Sequence, residues 1–179
     1  MQLKNVLLTA TLALSASAAG NNTTDIAPVI QSRLAALELG YLHTNIQLEQ
    51  LRDGAEGVDA DDVIATYLNT VKNEDSALDK PQPSKPLQES TQLTLCQAFH
   101  SLTVTGLTLD NALYNNVNQF NSTQRGQIYR GVSKVSDETS RFYSNVASKA
   151  LPYCVKTVQT DDMALAESFK MVKGAYGSN

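Results

Sequence analysis

Apolar residues recur at alternating intervals of three and four along most of the chain, which is the period of an amphipathic helix. In the first such segment, Asp25 is suited to cap a helix and Gly54 to follow its end, so a helix is predicted up to about Asp53. Its main apolar stripe, interrupted by the polar Thr44, consists of Ile26, Ile30, Leu34, Leu37, Tyr41, Leu48 and Leu51. A second stripe consists of Val29, Ala36, Leu39, Leu42 and Ile46. This helix is therefore expected to contact two partners or to keep one face for a ligand.

The same period predicts four further helices, whose approximate ranges are 59–79, 88–120, 122–152 and 161–176. Acidic residues favour two of the starts: Asp59 or Asp61 for the second helix, and Asp161 or Asp162 for the last. The segment 80–86 holds three prolines, so it is expected to be an extended crossover between the second and third helices. A proline-rich motif that binds a partner protein is the alternative interpretation.

The third and fourth helices are the longest predicted elements, each roughly 40 Å long at ~1.5 Å per residue. A turn at Asn121 would let them lie side by side as an antiparallel pair that spans Leu95 to Cys154. No segment shows the strict alternation of a half-buried strand. The predicted fold class is therefore all-α, an antiparallel bundle of four to five helices in a single domain.

The first residues, 1–18, have the features of a secretory signal peptide. Lys4 precedes an apolar run that is too short to span a bilayer, and the small residues 16–18 suit signal peptidase. We therefore expect a secreted, extracellular protein whose mature domain is 19–179 and which has no transmembrane segment. An uncleaved interfacial anchor is the alternative.

Export favours a disulfide between the two cysteines, Cys96 and Cys154, because secreted proteins fold in an oxidising compartment. An intermolecular disulfide and two buried thiols are the alternatives. Glycosylation is predicted at Asn22, near the mature N-terminus, and at Asn121, because both begin Asn-x-Ser/Thr acceptor sequences in expected loops.

The charge balance narrows the class of partner. The chain has 14 basic and 18 acidic side chains, and its basic residues are scattered singly. Nucleic acid is therefore excluded as an expected partner, and electrostatic docking on anionic lipid is disfavoured. Contact with a membrane or another surface would have to be apolar.

His43 and His100, the two histidines, are the candidates for general-base or metal-ligand roles, and neither lies in a cluster with ligand spacing. The segment 96–100 superficially resembles the helix of secreted phospholipase A2, but Ser101 stands where that enzyme class has its aspartate. The acidic pairs at 61–62 and 161–162 are interpreted as helix N-termini rather than as paired catalytic carboxylates. No hydrolase, nucleotide or metalloprotease motif is present, so neither an enzyme, a metal site nor a cofactor is expected.

Two mid-helix glycines, Gly40 and Gly106, interrupt apolar faces at a cost of about 1 kcal/mol each relative to alanine. Either helices cross closely at these points or space is left for a ligand. If a cavity of lipid size exists, we expect it to be lined by residues of the predicted seams: Leu37, Tyr41, Phe99, Leu102, Gly106, Leu109, Val132 and Phe142.

The secretory signal, the helical bundle, the absence of tryptophan and the run Leu95-Cys96-Gln97-Ala98-Phe99-His100-Ser101-Leu102 together resemble the fungal hydrophobic surface-binding protein A family and the related cell-wall galactomannoproteins. The resemblance implies a secreted or wall-associated helical protein that adsorbs to hydrophobic surfaces or binds a fatty acid, and it carries over no catalytic residue. Since 175–179 contains no serine- and threonine-rich stalk or apolar anchor signal, a freely secreted form is expected.

We therefore predict a secreted, non-enzymatic protein that binds hydrophobic surfaces or a lipid such as a fatty acid through the apolar faces of its bundle, with possible association with the cell wall or a host protein. The alternative is a secreted interaction protein, such as an inhibitor, antigen or effector, that acts on another protein.

Overall fold

The computed structural model of the chain describes residues 27–78 and 86–177. The predicted signal peptide, the acceptor Asn22 and nearly all of the proline-rich crossover lie outside the described residues. Within them the chain forms five α-helices and no strand, which confirms the all-α prediction. Their bounds are α1, Ala27–Arg52; α2, Ala60–Leu78; α3, Glu89–Asn115; α4, Ser122–Ala150; and α5, Val155–Gly177.

The helices form a closed ring in the order α1, α2, α4, α5 and α3, each packing against the two beside it. Pairs of contacting residues show that α1, α3 and α5 run in one direction, and that α2 and α4 run in the other. Each helix therefore turns one apolar face toward a shared centre, and this is where the core lies.

The predicted side-by-side packing of α3 against α4 is wrong in one respect. The two helices face each other across the ring, with α5 beside both, and their side chains rather than their backbones meet. The connection explains the difference, because the 3-10 turn Val117–Gln119 follows α3 and gives the chain room to cross before α4 begins. A short sequence separation did not make these helices neighbours.

The predicted apolar seams are the buried faces. In α1 the side chains of Ile30, Leu34, Leu37, Tyr41 and Leu48 are buried, and Leu51 is half-buried. Thr44, where the seam is polar, is fully buried too, and its hydroxyl donates to the Gly40 carbonyl at 2.9 Å. Bonding back within its own helix satisfies this hydroxyl inside an apolar interface.

Side-chain caps start α2 and α4 at the predicted places. Asp59 accepts hydrogen bonds from the backbone N–H groups of Asp61 and Asp62, both at 2.9 Å. Asn121 and Gln124 form a reciprocal capping box, with distances of 2.9 and 3.0 Å. These bonds satisfy donors that the first helical turn leaves free.

The predicted start of α5 is wrong. The helix begins at Val155, so Asp161 and Asp162 lie inside it and do not cap its N-terminus. The reason is the turn that follows Pro152: the Cys154 carbonyl already accepts a helical hydrogen bond from Val158 N–H at 3.0 Å. The first turn of α5 therefore forms directly behind the second cysteine.

The disulfide between Cys96 and Cys154 is present, as predicted, with Cα atoms 6.2 Å apart and a sequence separation of 58 positions. It joins α3 to the residue before α5, and these two helices are neighbours in the ring. Closing a loop of this length restricts the unfolded chain and is worth on the order of 4 kcal/mol. The bond therefore fixes α5 beside α3.

The two mid-helix glycines mark close approaches between helices. A Cβ atom on Gly40 would lie 2.5 Å from Thr70 Cγ2 in α2, and one on Gly106 would lie 2.9 Å from Leu165 Cδ2 in α5. A real Cβ does not fit at such distances without movement of its neighbour. Of the two interpretations of these glycines, the geometry at both positions agrees with close crossing.

Gly40→Ala should destabilise the protein by about 1–3 kcal/mol, because the new methyl group overlaps the branched, buried side chain of Thr70. Gly174→Ala is the matched control. A Cβ there meets nothing within 4 Å, so only the helix propensity of α5 changes and stability should rise by up to about 1 kcal/mol. Urea unfolding followed by circular dichroism measures both, and a Gly40→Ala variant that is stabilised as much as Gly174→Ala would contradict the close crossing.

Candidate functional site

The eight residues predicted to line a ligand site all lie on the inner side of the ring. They come from α1 (Leu37, Tyr41), α3 (Phe99, Leu102, Gly106, Leu109) and α4 (Val132, Phe142), and all are buried. The seam positions of three helices thus converge on one apolar centre. That a ligand binds there stays a prediction.

An aromatic cluster fills the space between α3 and α4. The ring centroid of Phe99 lies 5.4 Å from that of Phe142 and 4.7 Å from that of Tyr143, the second pair edge to face. The Tyr143 hydroxyl lies 2.9 Å from Thr103 Oγ1, and Thr103 donates to the Phe99 carbonyl. The centre is therefore apolar, with one satisfied pair of hydroxyls.

Thr103 and Tyr143 are not among the predicted residues, because each follows a seam residue by one position and so lies beside the predicted stripe. In the structure both side chains are buried, because the space at the centre of a ring of five helices is wide enough to hold the side chains beside each seam as well. A wider predicted buried face on α3 and α4, one position broader than the seam, would have included both residues.

Among the described residues, three clefts on the outside of the ring can be defined, and the eight predicted residues do not line them. The cleft between α4 and α5 has a volume of about 690 Å³ and a lining that is about equally polar and apolar, with Ser136, Ser140 and Asp162 among its residues. Burial raises the pKa of Asp162, and a hydrogen bond from Ser140 opposes that rise. A smaller cleft of about 230 Å³ lies between α1 and α3.

The third cleft lies between α3 and α5, has a volume of about 820 Å³ and is partly apolar. Its lining residues are Tyr114, Asn115, Val117, Asn118, Glu167, Lys170, Met171, Gly174 and Ala175. The exposed side chains of Tyr114 and Met171 face it from the two helices.

Asp110, on α3, is a buried acid that the sequence analysis did not select. Its exposed fraction is 3% and its Oδ2 atom has no hydrogen-bond partner, while the Ser168 side chain of α5 hydrogen-bonds to the carboxyl group. Burial raises the pKa of Asp110 to about 7, and the bond from Ser168 opposes the rise. The signal in the sequence was its position one turn after Gly106, next to the seam residue Leu109.

His100 of α3 and Asp161 of α5 form a second polar pair, with Nδ1 of the imidazole 3.1 Å from Oδ1 of the carboxylate. The carboxylate is 8% exposed and the imidazole 61%. No acid stands beside His100 in sequence, and its partner Asp161 lies 61 positions further along the chain. The neighbouring hydroxyl of Ser101 instead donates to Glu38 of α1 at 2.6 Å, so it does not complete a catalytic triad.

The outer face of α1 carries the second predicted stripe, and it is exposed. The side chains of Leu39, Leu42 and Ile46 are 65, 42 and 51% exposed. At about 100° per residue, the half of the helix opposite the core carries no Asp, Glu, Lys or Arg from Val29 to Ile46, and Glu49 lies at its C-terminal end. The second stripe of α1, which was predicted to contact a second partner or a ligand, is therefore exposed to solvent in the structure.

The described part of the chain contains no group of three or more histidine, cysteine or acidic residues arranged to hold a metal ion. None of its helices is both long and apolar enough to cross a membrane.

Comparison with solved structures identifies the fold. Ligand binding domain 2 of the Penicillium marneffei MP1 protein, complexed with multiple arachidonic acids, is 16% identical, with a TM-score of 0.72 over 89% of this chain and 100% of that one. AFMP4P in complex with palmitic acid is 12% identical, with a TM-score of 0.71 over 84% of this chain and 99% of that one.

Ligand binding domain 1 of the Penicillium marneffei MP1 protein, complexed with arachidonic acids, is 14% identical, with a TM-score of 0.69 over 83% of this chain and 96% of that one. No protein-family model matches the chain, and no curated protein matches it in sequence. The chain therefore shares the fold of helical ligand-binding domains from fungal proteins whose structures hold fatty acids. The specific resemblance to the hydrophobic surface-binding family is not confirmed.

Asp110 should make the stability of the ligand-free protein depend on pH. A carboxyl group whose pKa is higher in the folded than in the unfolded state favours folding less as pH rises, because only the unfolded state then releases its proton. From pH 4 to pH 7 the free energy of unfolding of wild type, minus that of Asp110→Asn, should fall by up to about 4 kcal/mol. Urea unfolding across this range measures the difference, and a constant difference would contradict the buried, ionisable acid.

Proposed function

We propose that this protein is a secreted, non-enzymatic lipid-binding domain that takes a fatty acid between the helices of its ring. The observation that carries the proposal is the convergence of the eight apolar seam residues on one centre, in a fold shared with domains that hold arachidonic or palmitic acid. The hydrocarbon chain would lie against Leu102 and Phe99, and burial of each CH₂ group would contribute about 0.8 kcal/mol.

The ligand would enter by displacing side chains rather than backbone. Since α3 and α4 are not packed against each other, the rings of Phe99, Phe142 and Tyr143 span the distance between them. Rotation of aromatic side chains can open a channel there while the helix contacts around the ring persist. Glycine at 106, by contrast, keeps α3 close to α5 and α1.

Secretion forms part of the proposal. The predicted signal peptide supports it, and so does the disulfide, since such bonds persist mainly in extracellular and other oxidising compartments. Glycosylation at Asn121 belongs with it, because this residue is exposed at the turn before α4.

Photo-crosslinking would locate the fatty acid. The delipidated protein is incubated with palmitic acid that carries a diazirine near its chain terminus, irradiated, and digested for mass spectrometry. Labels are expected on the peptides that contain Phe99, Leu102, Val132 or Phe142. An excess of unlabelled palmitic acid should abolish them.

The matched control is the double variant Leu39→Glu/Ile46→Glu, which alters only the outer face of α1 and should keep full labelling of the interior. Labels confined to the outer face of α1, or no saturable uptake at all, would contradict binding between the helices.

We infer adsorption to hydrophobic surfaces as a second candidate function, and a separate observation favours it. The outer face of α1 presents Leu39, Leu42 and Ile46 to solvent over about two turns, and its nearest charged residue, Glu49, lies at its C-terminal end. Contiguous exposed apolar surface of this kind is typical of contact sites, whereas single exposed apolar residues are ordinary. Adsorption through this face would not require the ring to open.

Adsorption to octyl-silane-coated silica, measured by quartz-crystal microbalance, tests the second function. Leu39→Glu/Ile46→Glu should reduce the adsorbed amount at least several-fold, because two carboxylates would have to lose their hydration at the surface. The control is Leu93→Glu/Val104→Glu, which changes two exposed apolar residues of α3 and should have little effect. An equal reduction by both variants would indicate general charge repulsion and exclude a dedicated α1 face.

A further inference from the structure

Gly174, on α5, differs from the glycines at the helix crossings. A Cβ atom on Gly40, Gly106 or Gly131 would lie less than 3.0 Å from a side chain of a neighbouring helix, whereas one on Gly174 would meet nothing within 4 Å. Glycine inside a helix is destabilising relative to alanine. Packing within the protein therefore does not account for Gly174, which lines the cleft of about 820 Å³ between α3 and α5.

The apolar part of this cleft has the surface that a sugar ring requires. The side chains of Tyr114 and Met171 are 44 and 38% exposed and line it together with the bare backbone of Gly174. The C–H face of a pyranose ring stacks on an aromatic ring such as that of Tyr114, because the aromatic face is electron-rich. A glycine in the wall lets a second ring surface approach the helix backbone closely.

The polar part of the cleft offers donors and acceptors together. Asn115 and Asn118 each have an amide that can do both, while Lys170 donates and Glu167 accepts. The last two side chains are 4.0 Å apart and more than three-quarters exposed, so a ligand can reach them, and their charges cancel. Hydroxyl groups of a neutral saccharide match this mixture. A hydrocarbon chain would instead cover polar groups without hydrogen-bonding to them, which costs free energy.

Asn121, the predicted glycosylation acceptor, lies on the outer side of the same end of the ring. The backbone is extended at Phe120 and Asn121, so their side chains point in opposite directions. Phe120 packs inward, with its ring centroid 6.0 Å from that of Tyr176, and Asn121 is exposed. The helix cap uses Oδ1 of Asn121, which accepts from Gln124 N–H at 3.0 Å, so a glycan on Nδ2 is compatible with the cap.

The cleft is within reach of a glycan at this position. Asn118, in its lining, precedes Asn121 by three residues, so their Cα atoms are at most ~11 Å apart. The volume of about 820 Å³ falls in the range of ligand clefts, about 300–1,000 Å³. Covalent attachment keeps the sugars near the cleft at high effective concentration, so contacts that are weak individually suffice.

We propose that the cleft between α3 and α5 seats the inner sugars of an N-linked glycan carried by Asn121, with one sugar ring stacked on Tyr114 beside Gly174. The proposal rests on the secretion and glycosylation proposed above, and it goes beyond the lipid-binding function because the site lies outside the ring. The docked glycan covers apolar side chains that the polypeptide leaves exposed.

The test uses the full chain secreted from yeast in an Asn21→Gln/Asn22→Gln background, which removes the two other acceptor sequences. Endoglycosidase H trims the glycan to the single sugar attached to Asn121, so the attachment and the helix cap are unchanged. Trimming should lower Tm by about 2–4 °C, as expected for the loss of roughly one stacking contact in a domain of this size.

Two variants separate docking from a general effect of the glycan. Gly174→Leu fills the cleft, and Tyr114→Ala removes the stacking surface, so in both the Tm difference between intact and trimmed protein should vanish. Each variant is compared with itself, so its own change in stability cancels. Tyr153→Ala is the matched control, because Tyr153 is 63% exposed near the opposite end of α5, and it should keep the wild-type difference.

NMR of the protein with a ¹³C-labelled glycan measures the contact directly. Protons of the stacked sugar should be shifted upfield by the ring of Tyr114. These shifts should be absent from Tyr114→Ala and unchanged in Tyr153→Ala.

An unmodified Asn121 in the secreted protein, the absence of upfield-shifted sugar protons, or an equal trimming effect in wild type and Gly174→Leu would overturn the docking proposal. None of these results bears on fatty-acid binding between the helices, which is measured by crosslinking on the trimmed protein. Diazirine labels confined to Met171 would assign the cleft to lipid and would overturn both proposals.

Discussion

The position of α5 between α3 and α4 is the constraint on which the rest of the structure depends. The Cys96–Cys154 disulfide holds the start of α5 beside α3, and the apolar face of α5 then packs against both α3 and α4. With α5 inserted between them, the consecutive helices α3 and α4 cannot close on each other as a simple hairpin. The ring that results has a centre wider than the space between two packed helices, and aromatic rings have to span it.

In this ring, contacts between neighbouring helices differ from contacts across the centre, whereas in a four-helix bundle both kinds lie close together. Around the ring, glycines at 40 and 106 bring backbones close, so these contacts are rigid and intolerant of added volume. Across the ring, Phe99 meets Phe142 and Tyr143 through side chains alone, and rotamer changes can alter those contacts without moving a helix. Space for a hydrocarbon chain can therefore arise in the centre while the periphery keeps the fold.

Much of the fold could be predicted because helical periodicity depends on local spacing. The spacing of seam residues identifies the buried face of each of α1, α3 and α4. Their convergence on one centre could therefore be predicted without knowing which helices are neighbours. Neighbour order, the start of α5 and the polar pairs could not be predicted in this way. His100 and Asp161 are 61 residues apart, and only the packing of α5 brings them within 3.1 Å. Asp110 has the appearance of a surface acid until α5 covers it.

The buried acid sets a limit on how firmly α5 is held. At neutral pH and above, an ionised Asp110 raises the free energy of the folded protein, because its burial has no compensating partner at Oδ2. The apolar contacts of α5 do not change with pH, so the cost of covering this acid is the part of the α3–α5 interface that does.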